Sequence, residues 1–165
     1  MTVYTTIDSP LGELLLVGED SASGVTLTSL SFVGHQGGAA VQPGWTENAT
    51  AFTAIAGQLR AYFDGAVQTF DLPHADKGTP FQKQVWATLE TIPYGTTISY
   101  AELAEKAGFA RSAVRAVAAA IGANPLLILR PCHRVIGANG TLTGYAGGLE
   151  RKQRLLALEG ALQPA

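Results

Sequence analysis

The chain has 165 residues, 47% hydrophobic and 15% charged, with a net charge of −2; this describes a core-forming protein and excludes a disordered one. No apolar run approaches the ~20 residues that span a bilayer, and Met1-Thr2-Val3-Tyr4 lacks the basic and long apolar regions of a secretory leader. The single cysteine, Cys132, can form neither an internal disulfide nor a multi-cysteine zinc site, so the expected location is intracellular and cytoplasmic, with no membrane partner.

Val3-Tyr4-Thr5-Thr6-Ile7 alternates as a strand does, Asp8-Ser9-Pro10-Leu11-Gly12 reads as a turn, and Glu13 to Val17 resumes an extended run. Val25 to Val33 offers a third strand, so the start of the chain predicts a small antiparallel sheet. Gly34 to Gly44 reads as a patternless loop. Phe52, Ile55, Ala56, Leu59 and Phe63 fall at helical spacing, and Asp64-Gly65 ends that helix. Residues 70 to 80, with two prolines and Gly78, form the best lobe boundary, which divides the chain into 1–75 and 76–165. Charge changes there too. Up to residue 75 one basic residue, Arg60, stands against seven acids; from Asp76 onward ten basic residues stand against six acids. That balance fits either a polyanionic partner for the second part or uneven surface charge.

The second part reads as helical. Phe81, Val85, Trp86 and Leu89 make one apolar face, closed by Ile92-Pro93-Tyr94-Gly95. Ser99 and Glu102 have the spacing of a capping box for a helix over Tyr100 to Ala107, which Gly108 breaks. The next helix turns Val114, Val117, Ala118 and Ile121 inward. Two short helices across a glycine turn outline a helix-turn-helix. On the outer face of the second, Arg111 and Arg115 stand beside Ser112 and Ala119. Small residues permit close approach of a bulky partner and the arginines reach phosphates or a groove, although a solvated helix face has the same pattern.

Pro125 to Leu129 is a short apolar run, read as a packed strand-like stretch that turns sharply at Pro131-Cys132. A thiol attacks as thiolate, and His133 and Arg134 place a base and a positive charge next to Cys132 in sequence. A lone cysteine is more often a small buried hydrophobe. Glu159 shifts that balance. It stands at the C-terminus of a helix over Glu150 to Leu158, on the side of Leu155 and Leu156, where the helix dipole disfavours a carboxylate and a partner is needed. Cys132, His133 and Glu159 thus have the residue types of nucleophile, base and orienting acid. The intervening glycine-rich loop, Gly137 to Gly148, carries one large side chain, Tyr145.

Pro131-Cys132-His133-Arg134-Val135 resembles the active-site motif of the O6-alkylguanine-DNA alkyltransferases, the methylated-DNA–protein-cysteine methyltransferases. The similarity runs nearly end to end: Ser9 to Gly12, Phe81-Gln82, Val85-Trp86, Ile92 to Gly95, Ser99-Tyr100, Arg115 to Val117, Asn124-Pro125, Tyr145 with Gly147-Gly148, and Leu155-Leu156 with Glu159-Gly160 occur in the family's order. The resemblance implies an α+β fold, with an N-terminal ribonuclease-H-like antiparallel sheet lobe and a C-terminal helical lobe carrying a winged helix-turn-helix. It implies binding to the minor groove of double-stranded DNA, flipping of an O6-alkylguanine into a pocket, and single-use transfer of the alkyl group to Cys132.

Carried over by residue, His133 is implied to be the base, acting through a water, and Glu159 the group that orients it. Tyr145 is implied to donate a proton to the departing guanine, and Asn124 to brace the turn around the site. Arg115 is implied to fill the gap left by the flipped base and Tyr100 to crowd the adjacent phosphate, with Arg111 and Ser112 on the same DNA-facing surface. No metal or organic cofactor is expected. The protein is expected to be monomeric, with cooperative binding along DNA open. Two departures stand out: Arg130 where a hydrophobic residue is usual, and Ala146 where some members carry serine. The rival readings are an alkyltransferase-like protein that binds lesions without chemistry, which lacks the acceptor cysteine, a cysteine hydrolase, and a plain DNA-binding regulator.

Overall fold

In the computed structural model, which describes residues 1–34, 39–75 and 77–162, the first alternating segment forms strand β1 (Thr2–Ile7), with Val3 and Thr5 buried. It pairs antiparallel with β2 (Leu14–Ser21), which pairs antiparallel with β3 (Gly24–Phe32). The unbroken run Leu14 to Val17 is buried on both faces of β2, as a central strand requires. A register shift lies between Val17 and Gly18, where a Cβ on Gly18 would come within 2.6 Å of Val25. A glycine is therefore required at this irregularity. Strand β4 (Thr46–Glu47) adds a short parallel pairing to β1, giving the order β3-β2-β1-β4. A turn of 3-10 helix over Ala49–Phe52 leads into α1 (Thr53–Phe63). Ile55, Ala56, Leu59 and Tyr62 are the buried positions of α1. Asp64 and Gly65 end it as expected, with Gly65 at φ 76 and Ala66 N–H closing back on Ala61. Of the loop read over Gly34 to Gly44, residues 35–38 lie outside the described residues.

These elements make up one compact unit, Met1–Asp76; the second is Lys77–Ala165. The sequence therefore folds as an α+β protein, a sheet unit followed by a helical one. In the second unit, α2 (Pro80–Leu89) opens on a capping box between Thr79 and Gln82, with proline at the first helical position. Trp86 of α2 donates its indole N–H to the Ala120 carbonyl at 2.8 Å, and Phe81 packs against Phe109 with ring centroids 4.7 Å apart.

Strand β5 (Ile98–Ser99) runs into α3 (Tyr100–Lys106), which begins with the expected Ser99–Glu102 capping box. At its end Gly108, at φ 90, lets Gly108 N–H bond Glu105 and Phe109 N–H bond Ala104. This reversal is the turn of the helix-turn-helix. A 3-10 turn over Arg111–Ala113 precedes α4 (Val114–Gly122), so Arg111 and Ser112 stand ahead of the second helix and only Arg115 lies on it. Residues Val117, Ala120 and Ile121 form the buried side of α4. Val114 and Ala118, expected inward, are half-exposed and line a cavity instead. A 3-10 turn over Cys132–Arg134 leads into β6 (Val135–Ile136), parallel to β5, and α5 (Leu149–Leu158) completes the unit. Among the described residues no helix is long and apolar enough to cross a membrane.

Candidate active site

The segment before the cysteine is a sequence of tight turns and not the strand-like stretch read from its apolar run. Leu129 N–H bonds the Leu127 carbonyl at 2.7 Å across Ile128, a β-branched residue at φ 70. Cys132 N–H bonds the Arg130 carbonyl at 2.7 Å across Pro131. Three-residue turns of the first kind are strained, and a β-branched side chain at positive φ adds to the cost. Such strain persists where the surroundings over-determine it. Here Asn124 does so. Its amide donates to the Leu126 and Arg130 carbonyls at 3.3 and 3.1 Å, and its carbonyl oxygen accepts from Leu126 N–H at 3.1 Å. Periodicity carries no trace of this, because one side chain and the buried apolar anchors Leu126, Leu127 and Ile128 set the path.

Cys132, 5% exposed, lies at the wall of a cavity of about 560 Å³. Tyr100, Val114, Arg115, Ala118, Tyr145 and Ala146 line it as well. Burial pushes the thiol up to about 11, and a hydrogen bond from Asn124 and the charge of Lys152 pull it down only in part. The resting sulfur is therefore a thiol, and a base must take its proton as it reacts.

His133 is fully buried and its Nε2 lies 2.8 Å from Glu159 Oε2. A carboxylate only accepts, so Nε2 carries the proton and Nδ1 keeps the lone pair. No protein atom among the described residues bonds Nδ1. Burial lowers the imidazole's affinity for a second proton, against the raising effect of Glu159. The ring is thus held neutral, as a base must be before it acts.

Glu159 is held firmly. Arg134 donates Nε–H to Oε1 at 2.7 Å and Nη2–H to Oε2 at 2.9 Å, while Nη1 bonds the Ile92 carbonyl at 2.6 Å. This fork on a buried carboxylate fixes both partners. It corrects one expectation: the charge of Arg134 is taken up by Glu159 and does not stand free beside the sulfur. Glu159 caps the C-terminus of α5, where Gly160 at φ 78 lets Gly160 and Ala161 N–H bond Ala157 and Leu156.

The remaining expected residues fall into two groups. Tyr100 and Tyr145 both face the cavity; the Tyr100 hydroxyl accepts from Thr143 Oγ1 at 3.2 Å, and the Tyr145 ring meets His133 edge-on at 6.4 Å between centroids. Arg115 is exposed and also reaches the cavity. Arg111 and Ser112 are exposed but do not line it, and Arg111 is ion-paired to Glu105. Arg130, the unusual residue before the motif, does not enter the cavity. It is 1% exposed, with its guanidinium over the Trp86 ring at 4.8 Å and Nε 3.6 Å from Glu90. Ala146, by contrast, is part of the lining.

Lys152 is the residue that sequence reasoning passed over. It is fully buried, and its Nζ donates to the carbonyls of Val135, Thr143 and Gly144. A signal was there: Lys152 lies on the same helical stripe as Leu155, Leu156 and Glu159.

Two family models cover nearly the whole chain. Residues 2–75 match the ribonuclease-like domain of 6-O-methylguanine DNA methyltransferase, and residues 80–161 match its DNA binding domain. The chain is 52% identical over 165 residues to a methylated-DNA–protein-cysteine methyltransferase of Mycolicibacterium paratuberculosis, spanning 100% of this chain and 96% of the relative. It is 44% identical over 158 residues to the protein of the same name from Methanosarcina acetivorans, spanning 96% of this chain and 98% of the relative. Among solved structures it is similar to Mycobacterium tuberculosis OGT in complex with DNA, with a TM-score of 0.87, 46% identity, and coverage of 96% of this chain and 93% of the other.

Proposed function

The chain belongs to the 6-O-methylguanine DNA methyltransferase family, and from that premise we propose that it repairs DNA by moving an alkyl group from O6 of guanine irreversibly onto Cys132. The observation that carries this reading is a single nucleophile at the wall of a largely apolar cavity, with a neutral, carboxylate-oriented imidazole next to it in the chain. The chain binds DNA, and the minor groove of a duplex is the proposed site. A base within a duplex cannot present O6 to a buried sulfur, so the alkylated nucleotide is extruded into the cavity. Arg115, at the cavity wall, is proposed to fill the gap, and Tyr100, also in the lining, to crowd the neighbouring phosphate. Ser112, exposed ahead of α4, is assigned to the DNA surface. Arg111 joins it only by exchanging Glu105 for a phosphate.

The chemistry is an in-line displacement at carbon. The thiol proton passes through a water to Nδ1 of His133, whose Nε2–H stays on Glu159. Sulfur forms a bond to the alkyl carbon while the carbon–oxygen bond breaks and its electron pair leaves with guanine. Tyr145 protonates the departing base, and the imidazolium proton returns through solvent to the phenolate. The sum is alkylguanine and thiol giving guanine and thioether. A thioether has no easy return to thiol, so each molecule acts once; a monomer acting in the cytoplasm is the proposed form.

Stoichiometry tests this reading. With duplex DNA carrying O6-methylguanine in excess, repaired guanines should saturate at one per protein. Many repairs per molecule would instead fit a hydrolase, and binding without repair would fit the lesion-binding alternative.

A further inference from the structure

Lys152 reaches the buried site from α5, yet the chemistry of Cys132, His133 and Glu159 does not use it. Its ammonium donates to the Val135 carbonyl at 2.6 Å, to Thr143 at 2.7 Å and to Gly144 at 3.2 Å. Three acceptors match the three N–H groups of a charged lysine. Two of those acceptors, Thr143 and Gly144, are in the cavity wall, and the third follows the Cys132–Arg134 turn directly.

No carboxylate among the described residues pairs with this cation. Glu159, the buried acid of the site, is taken by Arg134 and His133. A buried charge without a counter-charge is expensive, and the three carbonyls it bonds offset that cost only in part. Burial accordingly lowers Lys152 to about 8, and the charge that opposes the fall is Cys132. The effect is mutual, because the Lys152 charge lowers the Cys132 thiol, and it also helps hold His133 neutral. The titratable or charged groups on the segments it meets are Cys132, His133 and Arg134 in the 3-10 turn, Tyr145 in the loop, and Glu150, Arg151, Arg154 and Glu159 on α5 itself. Once Glu159 is bound to Arg134, the buried group left to offer Lys152 a negative charge is the sulfur.

We propose that Lys152 is a positioning residue of the alkyl transfer, whose ammonium pins the cavity wall at Thr143 and Gly144 to β6 and counters the negative charge that develops on Cys132 sulfur. This inference rests on Cys132 being the acceptor. As the thiol proton leaves for His133, the sulfur's growing charge is met by a fixed cation that needs no rearrangement. When the carbon–sulfur bond is complete the thioether is neutral and Lys152 is again without a counter-charge.

Two substitutions test it in the full chain: Lys152→Met, which keeps length and loses charge, and Lys152→Arg, which keeps charge. Iodoacetamide capture of Cys132 reads the thiolate without DNA. At pH ~7, Lys152→Met should react at least about tenfold more slowly than wild type, with Lys152→Arg recovering much of the loss. From about pH 7 to 9.5 the wild-type rate should bend to a lower slope near pH ~8, as Lys152 sheds its proton. The Lys152→Met rate should rise about tenfold per unit throughout. Methyl transfer from a duplex with one O6-methylguanine should slow by a similar factor, with DNA affinity within about threefold of wild type. Wild-type capture and an unchanged bend in Lys152→Met would overturn the proposal, including when transfer is slowed, since the residue would then be only structural. Should Lys152→Met fail to fold, Lys152→Gln takes its place under the same outcomes. A wild-type protein that captures iodoacetamide but takes no methyl from DNA would sink the transfer reading while leaving the charge test intact.

Discussion

Apart from Thr5 and Ser31, the described interior of the first unit is built from aliphatic and aromatic side chains, whereas the second unit buries Arg130, His133, Arg134, Lys152 and Glu159. Among the described residues, the non-glycine residue at positive φ, Ile128, also lies in the second unit, three residues before the cysteine segment begins at Pro131. The interior of the sheet unit is stabilised by hydrophobic burial beneath its strand ladders, with no charged side chain buried among its described residues. The helical unit takes on buried charge and backbone strain, both of which lower stability unless every partner is present. The difference shows where chemistry was favoured over stability: His133, Arg134, Lys152 and Glu159 are buried near one sulfur, while Arg130 stacks on Trp86 outside the cavity.

That contrast can be broken in order of expected effect. Cys132→Ser should reduce methyl transfer by more than about a thousandfold while DNA affinity changes only a few-fold, measured by single-turnover repair and by titration of labelled duplex. Transfer that survives this change would remove the sulfur from the centre of the account. Glu159→Gln should cost about 3–5 kcal/mol, because the Arg134 guanidinium stays buried against a neutral amide. A denaturant midpoint close to wild type would show that the fork is dispensable. Leu16→Ala in the sheet unit should cost about 2–5 kcal/mol through the cavity it leaves. Here the transfer rate per folded molecule should stay at the wild-type value, and a lower rate would mean that the sheet unit takes part in the chemistry.

The thiol gives the comparison a pH signature. Its folded-state value is raised from 9.0 to about 11, so between those limits the unfolded chain has lost the proton and the folded one still holds it. Stability from this group is fully present below pH 9.0 and is lost as pH climbs towards about 11. The stability of wild type relative to Cys132→Ser should therefore fall by roughly 2–3 kcal/mol across that window, and a flat difference would mean that the sulfur is better solvated than its burial implies. The smallest effect is expected at Arg130→Leu. Its charge stacks on Trp86 and faces Glu90 rather than the cavity, so transfer should stay within about threefold and stability within about 1.5 kcal/mol.

Much of both units could be read from local pattern. Alternation marked β1, the run Glu13 to Val17 read as a further extended segment, and the Ser99–Glu102 spacing marked the start of α3. Glu159 was legible for an electrostatic reason: a carboxylate at a helix C-terminus needs a partner, and His133 and Arg134 supply one. What stayed hidden depends on tertiary context. The turns after Asn124 are set by its side-chain hydrogen bonds, which periodicity does not record. Arg111 counted as helical by its spacing from Arg115, but a 3-10 turn and the pair with Glu105 remove it from α4. Lys152 looked like any lysine at the edge of an amphipathic helix, where the stem packs and the head normally returns to water. Its place on the stripe of Leu155, Leu156 and Glu159 was the one sequence signal, and the three carbonyls converging on its ammonium show what it does there.

The central claim is that the alkyl group ends on Cys132. Intact and peptide mass measured after incubation with a duplex carrying one O6-methylguanine tests it most directly. The account predicts one added methyl group per chain, located on Cys132, with unmodified guanine left in the DNA. Repaired DNA beside unmodified protein, or a methyl group on any other residue, would contradict it.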